Sequence, residues 1–198
     1  MAAPKPLSEG FSPDGYIIDQ DCLSQIEYRT MPASINGCGW VAAFDLLRYL
    51  DGREDWDAVR RELDGMHRLR MPGPTLTGVM RRYLAAHVPQ IREISGREEA
   101  LAAARESRAG IFRYREGMEP HFVCYLRAEA GYRFFNVSDG LEDAVLSMEQ
   151  FGAEHLRGGT VVLFYVPRES AEDVATADGS GGAAPVSAAA PASAAPEI

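Results

Sequence analysis

The chain has 198 residues, of which 46% are hydrophobic and 25% charged, proportions that indicate one globular domain with a substantial core. Its formal net charge of -9 argues against a nucleic-acid-binding surface, because phosphate contacts require clustered Lys and Arg. No apolar run approaches the roughly 20 residues of a membrane span, and the first residues lack the apolar core of a signal peptide. We therefore expect a cytoplasmic protein that contacts neither membrane nor nucleic acid.

Composition divides the chain into three segments. Residues 1–15 carry no clear pattern and are expected to form an irregular N-terminal arm, whereas residues 16–168 carry the helix and strand patterns of a folded domain. Residues 169–198 end in a long run of Ala, Pro, Ser and Gly with almost no large apolar side chain. Such a run buries too little surface to offset the entropy lost on ordering, so we expect a disordered tail.

The first half of the folded segment carries mainly helical patterns. After two weak strand patterns at 16–18 and 25–29, helices are predicted over 37–50, 54–66, 75–87 and 96–107. In the first helix, apolar residues recur at helical spacing up to Leu50, and Gly52 is placed to end the helix. Thr75 is the expected N-cap of the third helix.

The second half changes to the period of strands. Runs of β-branched and aromatic residues predict strands over 109–115, 121–127, 131–137 and 160–166. The acidic stretch 138–143 is interpreted as a solvated turn, and Ser147 with Gln150 predicts a capping box that opens a short helix. Helices followed by a series of strands indicate an α+β fold with a mostly antiparallel sheet.

The chain has three cysteines, and one of them stands at the entry of a helix. Cys22, Cys38 and Cys124 are odd in number and far apart, which does not make a disulfide framework, so we expect free thiols. Cys38 lies between two glycines, where the unpaired N–H groups of a helix start favour a thiolate. The flanking glycines are expected to leave room for a substrate backbone. These features favour a nucleophile over an inert core cysteine.

A nucleophilic thiol needs a proton partner, and His121 is the best placed of the four histidines because it opens a strand. The next strand ends in "FFNVSDG", which contains two candidates for a third residue that orients the imidazole. If Arg127 pairs with Tyr132 across the turn, Asn136 shares a face with His121. A turn one residue longer, with a bulge at Gly131, brings Asp139 onto that face instead.

The ordered set "CGW", "PHFVCYL" and "YRFFNVSDG" resembles the papain-like cysteine peptidases, closest to the bacterial branch that includes double-glycine leader peptidases. The resemblance covers roughly residues 16–167. It implies a helical subdomain packed on an antiparallel sheet, with a cleft between them. It also implies the roles of Cys38 as nucleophile, His121 as base and Asn136 as the orienting residue, with Asp139 as the alternative.

The sequence departs from that family at two positions. Trp40 stands where the bacterial branch usually has Pro, and Pro32 stands where papain has the Gln that stabilises the oxyanion. Asn36 and Gln25 are the remaining candidates for that donor, although Asn36 is also well placed to cap the helix.

The expected activity is that of an enzyme, a cysteine-dependent hydrolase that cleaves a peptide or small amide substrate through a thioester. An acyl transferase that passes the same thioester to an amine, and an inactive papain-like binding module, are the alternatives. No zinc-ligand spacing and no phosphate-binding loop occur in the sequence, so we expect neither a metal nor another cofactor.

Overall fold

The computed structural model describes residues 5–68, 71–117, 119–137 and 141–168. The architecture below is that of the described residues within Met1–Arg168. The predicted tail and Asp139 lie outside the described residues. Within the predicted arm, residues 7–10 form a 3-10 helix, and Phe11 pairs with Ile17 in a single antiparallel bridge.

The elements before the main sheet are mostly helical. They are the 3-10 helices Leu7–Gly10 and Gln20–Leu23, the short strands β1 (Glu27–Tyr28) and β2 (Met31–Pro32), and the helices α1 (Ala33–Asn36), α2 (Cys38–Asp51), α3 (Trp56–Gly65) and α4 (Thr77–His87). The strand pattern at 16–18 gives only the Ile17 bridge, and that at 25–29 gives only β1. With 14 residues in α2, no helix in the described part of the chain is long and apolar enough to cross a bilayer.

The remaining elements build one six-stranded sheet and two helices. They are β3 (Arg92–Ser95), α5 (Arg97–Arg105), β4 (Ser107–Glu116), β5 (Glu119–Ala128), β6 (Gly131–Val137), β7 (Leu141–Leu146), α6 (Met148–Glu154) and β8 (Val162–Pro167). The strand order is β3-β8-β4-β5-β6-β7, and neighbouring strands pair antiparallel. The α+β class with an antiparallel sheet is thus confirmed.

Both faces of the sheet are covered. The helices α2 to α4 form one core with Ile111, Phe122 and Phe164, while α5 and α6 form a second core with Phe112 and Leu163. Successive residues of a strand point to opposite faces, so adjacent residues such as Ile111 and Phe112 enter different cores. Burial on both faces explains why these strands are nearly continuous apolar runs instead of clean alternations.

The helix that begins at Cys38 is surrounded by protein. Its first ten residues, 38–47, are all buried, and it packs on β4, β5 and β6. Its end is confirmed at Gly52, which adopts the left-handed conformation with φ 73° and donates its N–H to the Arg48 carbonyl at 3.0 Å. Glycine adopts this conformation at no steric cost, and for that reason the helix ends there.

Two local predictions are wrong, and one strand was missed. The N-cap of α4 is Leu76, because the Thr75 hydroxyl hydrogen-bonds to the Tyr28 hydroxyl at 2.8 Å instead of capping the helix. Residues 141–143 of the acidic stretch interpreted as a turn belong to β7, whereas 138–140 lie outside the described residues. The exposed edge strand β3 was not predicted at all. Strand pairing across the sheet supplies the hydrogen bonds that make these polar segments extended, and no local pattern records it.

The capping box of α6 is confirmed. The Ser147 hydroxyl accepts from the Gln150 N–H at 3.1 Å, and the Gln150 side chain accepts from the Ser147 N–H at 2.9 Å. The hairpin between β5 and β6 pairs Arg127 with Tyr132, which is the first of the two registers considered above.

Candidate active site

Cys38 and His121 line the same cleft, which has a volume of about 560 Å³. Helix α2 supplies Cys38 as its first residue, and strand β5 supplies His121 near its start. The Cys38 Sγ lies 4.0 Å from the carbonyl oxygen of Pro120, the residue that precedes the histidine. Both side chains are largely shielded from solvent, with exposed fractions of 3% for Cys38 and 9% for His121.

The imidazole of His121 is held by a main-chain carbonyl. Its Nε2 lies 2.9 Å from the backbone oxygen of Asn136, and because a carbonyl oxygen only accepts, Nε2 must carry the proton. The other ring nitrogen, Nδ1, is left to interact with Cys38. The Tyr114 ring contacts the imidazole edge-on, with ring centroids 5.7 Å apart, and limits its rotation.

Several influences act on the His121 pKa. Burial lowers it, but the hydrogen bond with the Cys38 side chain, the charge of Cys38 and the hydrogen bond to the Asn136 carbonyl raise it, and the net pKa lies above the ordinary 6.5. The site therefore favours an imidazolium beside the sulfur. A raised folded-state pKa contributes stability that is complete below the unfolded value and is lost as the pH rises through the folded value.

This balance predicts the effect of removing the thiol. In Cys38→Ala the largest interactions that raise the His121 pKa are lost while the burial that lowers it remains, so we expect the pKa to fall. A ¹H–¹⁵N NMR titration of the imidazole in the native protein and the variant measures this directly. An unchanged pKa would mean that the two side chains do not interact.

The third residue acts differently from what we expected. The Asn136 side chain does not face His121, because both of its polar atoms are bonded to Gln20. The residue reaches the imidazole through its main-chain oxygen, and its backbone adopts the left-handed conformation with φ 58°. Asn tolerates this conformation better than most residues that are not glycine. Asp139, the alternative, lies outside the described residues.

Neither expected oxyanion donor is in position. The Asn36 Nδ2 group donates to the carbonyls of Tyr28 at 2.8 Å and Gly73 at 3.1 Å, which uses both of its hydrogens. Its other side-chain atom, Oδ1, is an acceptor and would repel an anion. Gln25 is exposed and lines a separate groove with Thr30 and Pro32, away from the sulfur.

The two glycines beside Cys38 do not make room for a substrate. A Cβ on Gly39 would lie 2.2 Å from the Thr75 Oγ1, and one on Gly37 would lie 2.4 Å from the Ala33 carbonyl oxygen. The space beside both glycines is therefore already filled by the protein. The glycines permit the close approach of the 71–76 segment and the tight turn from α1 into α2. Our expectation that they leave room for a substrate backbone is therefore wrong.

The sequence reasoning missed Gln20, which lies in the cleft. It begins a 3-10 helix in a stretch without periodicity, and its partner Asn136 is 116 positions later in the chain. A polar residue in an irregular segment carries no local signal for such a contact, so only the assembled fold identifies it.

The other two thiols are in less reactive surroundings. Burial and the neighbouring Asp19 carboxylate raise the pKa of Cys22 to about 11. Burial raises the pKa of Cys124, which is fully buried in the sheet, well above its ordinary value.

Among the residues that the structure describes, no group of three or more His, Cys, Asp or Glu is arranged to hold a metal ion. A scan against protein-family models matches none, and no curated protein sequence is significantly similar to the chain. The function must therefore be inferred from the geometry of the cleft that contains Cys38 and His121.

Proposed function

We propose that this protein is a cysteine-dependent hydrolase of peptide or amide bonds, built on a papain-like α+β scaffold. The observation that supports this most strongly is the meeting of the Cys38 thiol and an oriented His121 imidazole in one cleft. A thiol paired with a base whose other nitrogen is held by a third group is the arrangement that nucleophilic catalysis needs. The sequence resemblance to papain-like peptidases, in the order Cys38, His121, Asn136, adds to it.

The proposed reaction has two stages. The imidazole takes the thiol proton at Nδ1, and the Cys38 thiolate attacks the substrate carbonyl, forming an S–C bond. The imidazolium then gives that proton to the leaving amine as the C–N bond breaks, which leaves a thioester. Water then attacks the thioester carbonyl, forming a C–O bond as one of its protons passes to Nδ1. The S–C bond breaks, the acid leaves, and the proton returns to the sulfur.

The Cys38 N–H is the proposed oxyanion donor. In an uninterrupted helix, the Cys38 N–H would donate to the carbonyl of Ser34, which lies four residues earlier in the chain. That carbonyl instead accepts from the Gln20 side chain at 3.0 Å, and the regular bonding of α2 begins with the Val41 N–H, which donates to the Gly37 carbonyl at 3.1 Å. A main-chain N–H at a helix start, beside the nucleophile, is suited to a developing negative charge.

The reactivity of the thiols tests the nucleophile. With a limiting dose of iodoacetamide near pH 7, we expect Cys38 to be alkylated well before Cys22 and Cys124, whose raised pKa values leave almost no thiolate. Peptide mass spectrometry of the labelled protein gives the order. Earlier labelling of Cys22 or Cys124 would exclude the proposed nucleophile.

The alternatives differ from hydrolysis in their products. An acyl transferase forms an amide product when an amine is added, whereas a hydrolase gives the acid whether or not the amine is present. A binding module gives no product and an unreactive Cys38. Mass analysis of the products of an amide substrate, with and without an added amine, separates the three.

A further inference from the structure

Gln20 and Asn136 form a reciprocal pair of amides at the edge of the cleft. The Gln20 backbone N–H donates to the Asn136 Oδ1 at 2.9 Å, and the Asn136 Nδ2 donates to the Gln20 Oε1 at 2.8 Å. The Gln20 Nε2 group donates in turn to the Ser34 carbonyl at 3.0 Å. The Gln20 side chain therefore joins two parts of the site. One is α1, which precedes Cys38, and the other is Asn136 in β6, whose carbonyl accepts from His121.

The paired residue is the one whose backbone orients the imidazole. Asn136 adopts φ 58°, a conformation that Asn tolerates better than most residues but that is still less favourable than a right-handed one, so neighbouring contacts help to impose it. Its side chain is 6% exposed and both of its polar ends are bonded to Gln20. The carbonyl that accepts from the His121 Nε2–H therefore belongs to a residue whose side chain is held by Gln20.

The segment that carries Gln20 is itself fixed on the domain. The Ile17 N–H donates at 2.8 Å to the Asp45 carboxyl group, which is buried in α2. The Asp19 side chain accepts from the Asp21 N–H at 2.8 Å and caps the 3-10 helix that begins at Gln20. These bonds on either side of Gln20 limit its movement, which a positioning role requires.

We propose that Gln20 is a positioning residue of the active site: it holds Asn136 in the left-handed conformation and thereby keeps the His121 imidazole directed at Cys38. This inference rests on the proposed function. The segment before α1 then contributes to catalysis through the amide pair of Gln20 and Asn136, although neither amide contacts the reacting atoms. The pair also leaves the Nδ1 side of the imidazole free for proton transfer.

Two variants of Gln20 separate its two side-chain bonds. Gln20→Leu removes both the acceptor for the Asn136 Nδ2 and the donor to Ser34. Gln20→Glu keeps an acceptor for the Asn136 Nδ2, but it replaces the donor to Ser34 with a charged oxygen that faces the Ser34 carbonyl. Gln25→Leu is the matched control, because Gln25 is exposed in the same part of the chain and lines another groove.

Two measurements are made on each protein. The first is the exchange rate of the His121 Nε2 proton by ¹H–¹⁵N NMR, assigned by comparison with His121→Asn. The second is the pH dependence of Cys38 alkylation by iodoacetamide. In Gln20→Leu we expect faster exchange of the Nε2 proton and a fall of about tenfold or more in alkylation rate near pH 7, because a small misplacement of the imidazole is costly. Gln25→Leu is expected to stay near the native values, and Gln20→Glu is expected to be less affected than Gln20→Leu because it keeps an acceptor for Asn136.

The outcomes are distinct. If Gln20→Leu leaves both readouts within twofold of the native values, or if Gln25→Leu is as damaging as Gln20→Leu, the proposed role through Asn136 is wrong. If the native Cys38 is no more reactive than Cys22, the proposed function fails. The Nε2 exchange still tests the link from Gln20 to Asn136 in that case.

Should Gln20→Leu fail to fold, Asn136→Gly provides the test, since it keeps the carbonyl and permits φ 58° but deletes the amide pair. Faster Nε2 exchange in that variant supports the role, and native exchange overturns it.

Discussion

Replacing Cys38 by Ala, or His121 by Asn, is expected to reduce the turnover of an activated ester such as p-nitrophenyl acetate by a factor on the order of 10³ or more. The thiol supplies the bond to the acyl group, and the imidazole takes the thiol proton and later gives it up, so neither works alone. The double variant should therefore be hardly less active than either single variant. Release of nitrophenolate, followed by its absorbance in both the burst and the steady state, measures the effect.

Matched controls come from residues of the same types elsewhere in the fold. Cys22→Ala removes a thiol and His87→Asn removes an imidazole, and neither residue lines the cleft. Both controls should retain turnover within about twofold, since neither side chain lines the cleft that holds Cys38 and His121. Full activity in Cys38→Ala, or losses in the double variant that equal the product of the single losses, would contradict a joint role of Cys38 and His121.

Gly39→Ala is expected to destabilise the protein by about 1–3 kcal/mol, the usual cost of overpacking a well-packed region. The new Cβ would lie 2.2 Å from the Thr75 Oγ1 and 2.4 Å from the Thr75 Cβ. Because the Thr75 Cβ is close to the backbone, the 71–76 segment must move, and the Tyr28 hydroxyl loses its partner. Urea unfolding followed by circular dichroism gives the free energy of unfolding.

Gly78→Ala provides the contrasting control. Gly78 lies in α4, and a Cβ there meets no atom within 4 Å. Ala has the higher helix propensity, so this variant should be more stable by about 0.5–1 kcal/mol. If Gly39→Ala were as stable as the native protein, the 71–76 segment would not be packed against the start of α2. Since Gly73 and Pro74 line the cleft, that result would also mean that this side of the cleft is not formed as described.

The helix that carries the nucleophile was predictable because its determinants are local. Apolar residues at helical spacing and a glycine at the end placed it over 37–50, and the structure has it at Cys38–Asp51, ending at Gly52. The capping box at Ser147 was predictable for the same reason, since the hydrogen bonds of a cap join residues three positions apart. The strands β4, β5 and β6 followed from runs of β-branched and aromatic residues.

The sequence also narrowed the candidate residues. Among three cysteines and four histidines, position at the start of an element selected Cys38 and His121, and the fold brings both to one cleft. Element ends meet at the edges of packed layers, and side chains placed there can reach a common cleft. Their catalytic role stays a prediction until turnover or thiol reactivity is measured.

The contacts that surround Cys38 and His121 were decided only by tertiary structure. Three contacts of the site join residues that are distant in the chain. The bond from His121 to the Asn136 carbonyl spans 15 positions, and the amide pair of Gln20 and Asn136 spans 116. The packing of Thr75 against Gly39 spans 36 positions. Local propensity acts over a few residues, whereas these contacts depend on how whole layers pack. The sequence alone therefore determined the α+β class and most of the helices and strands, though not β3 and β7, and packing determined which atoms of the site meet.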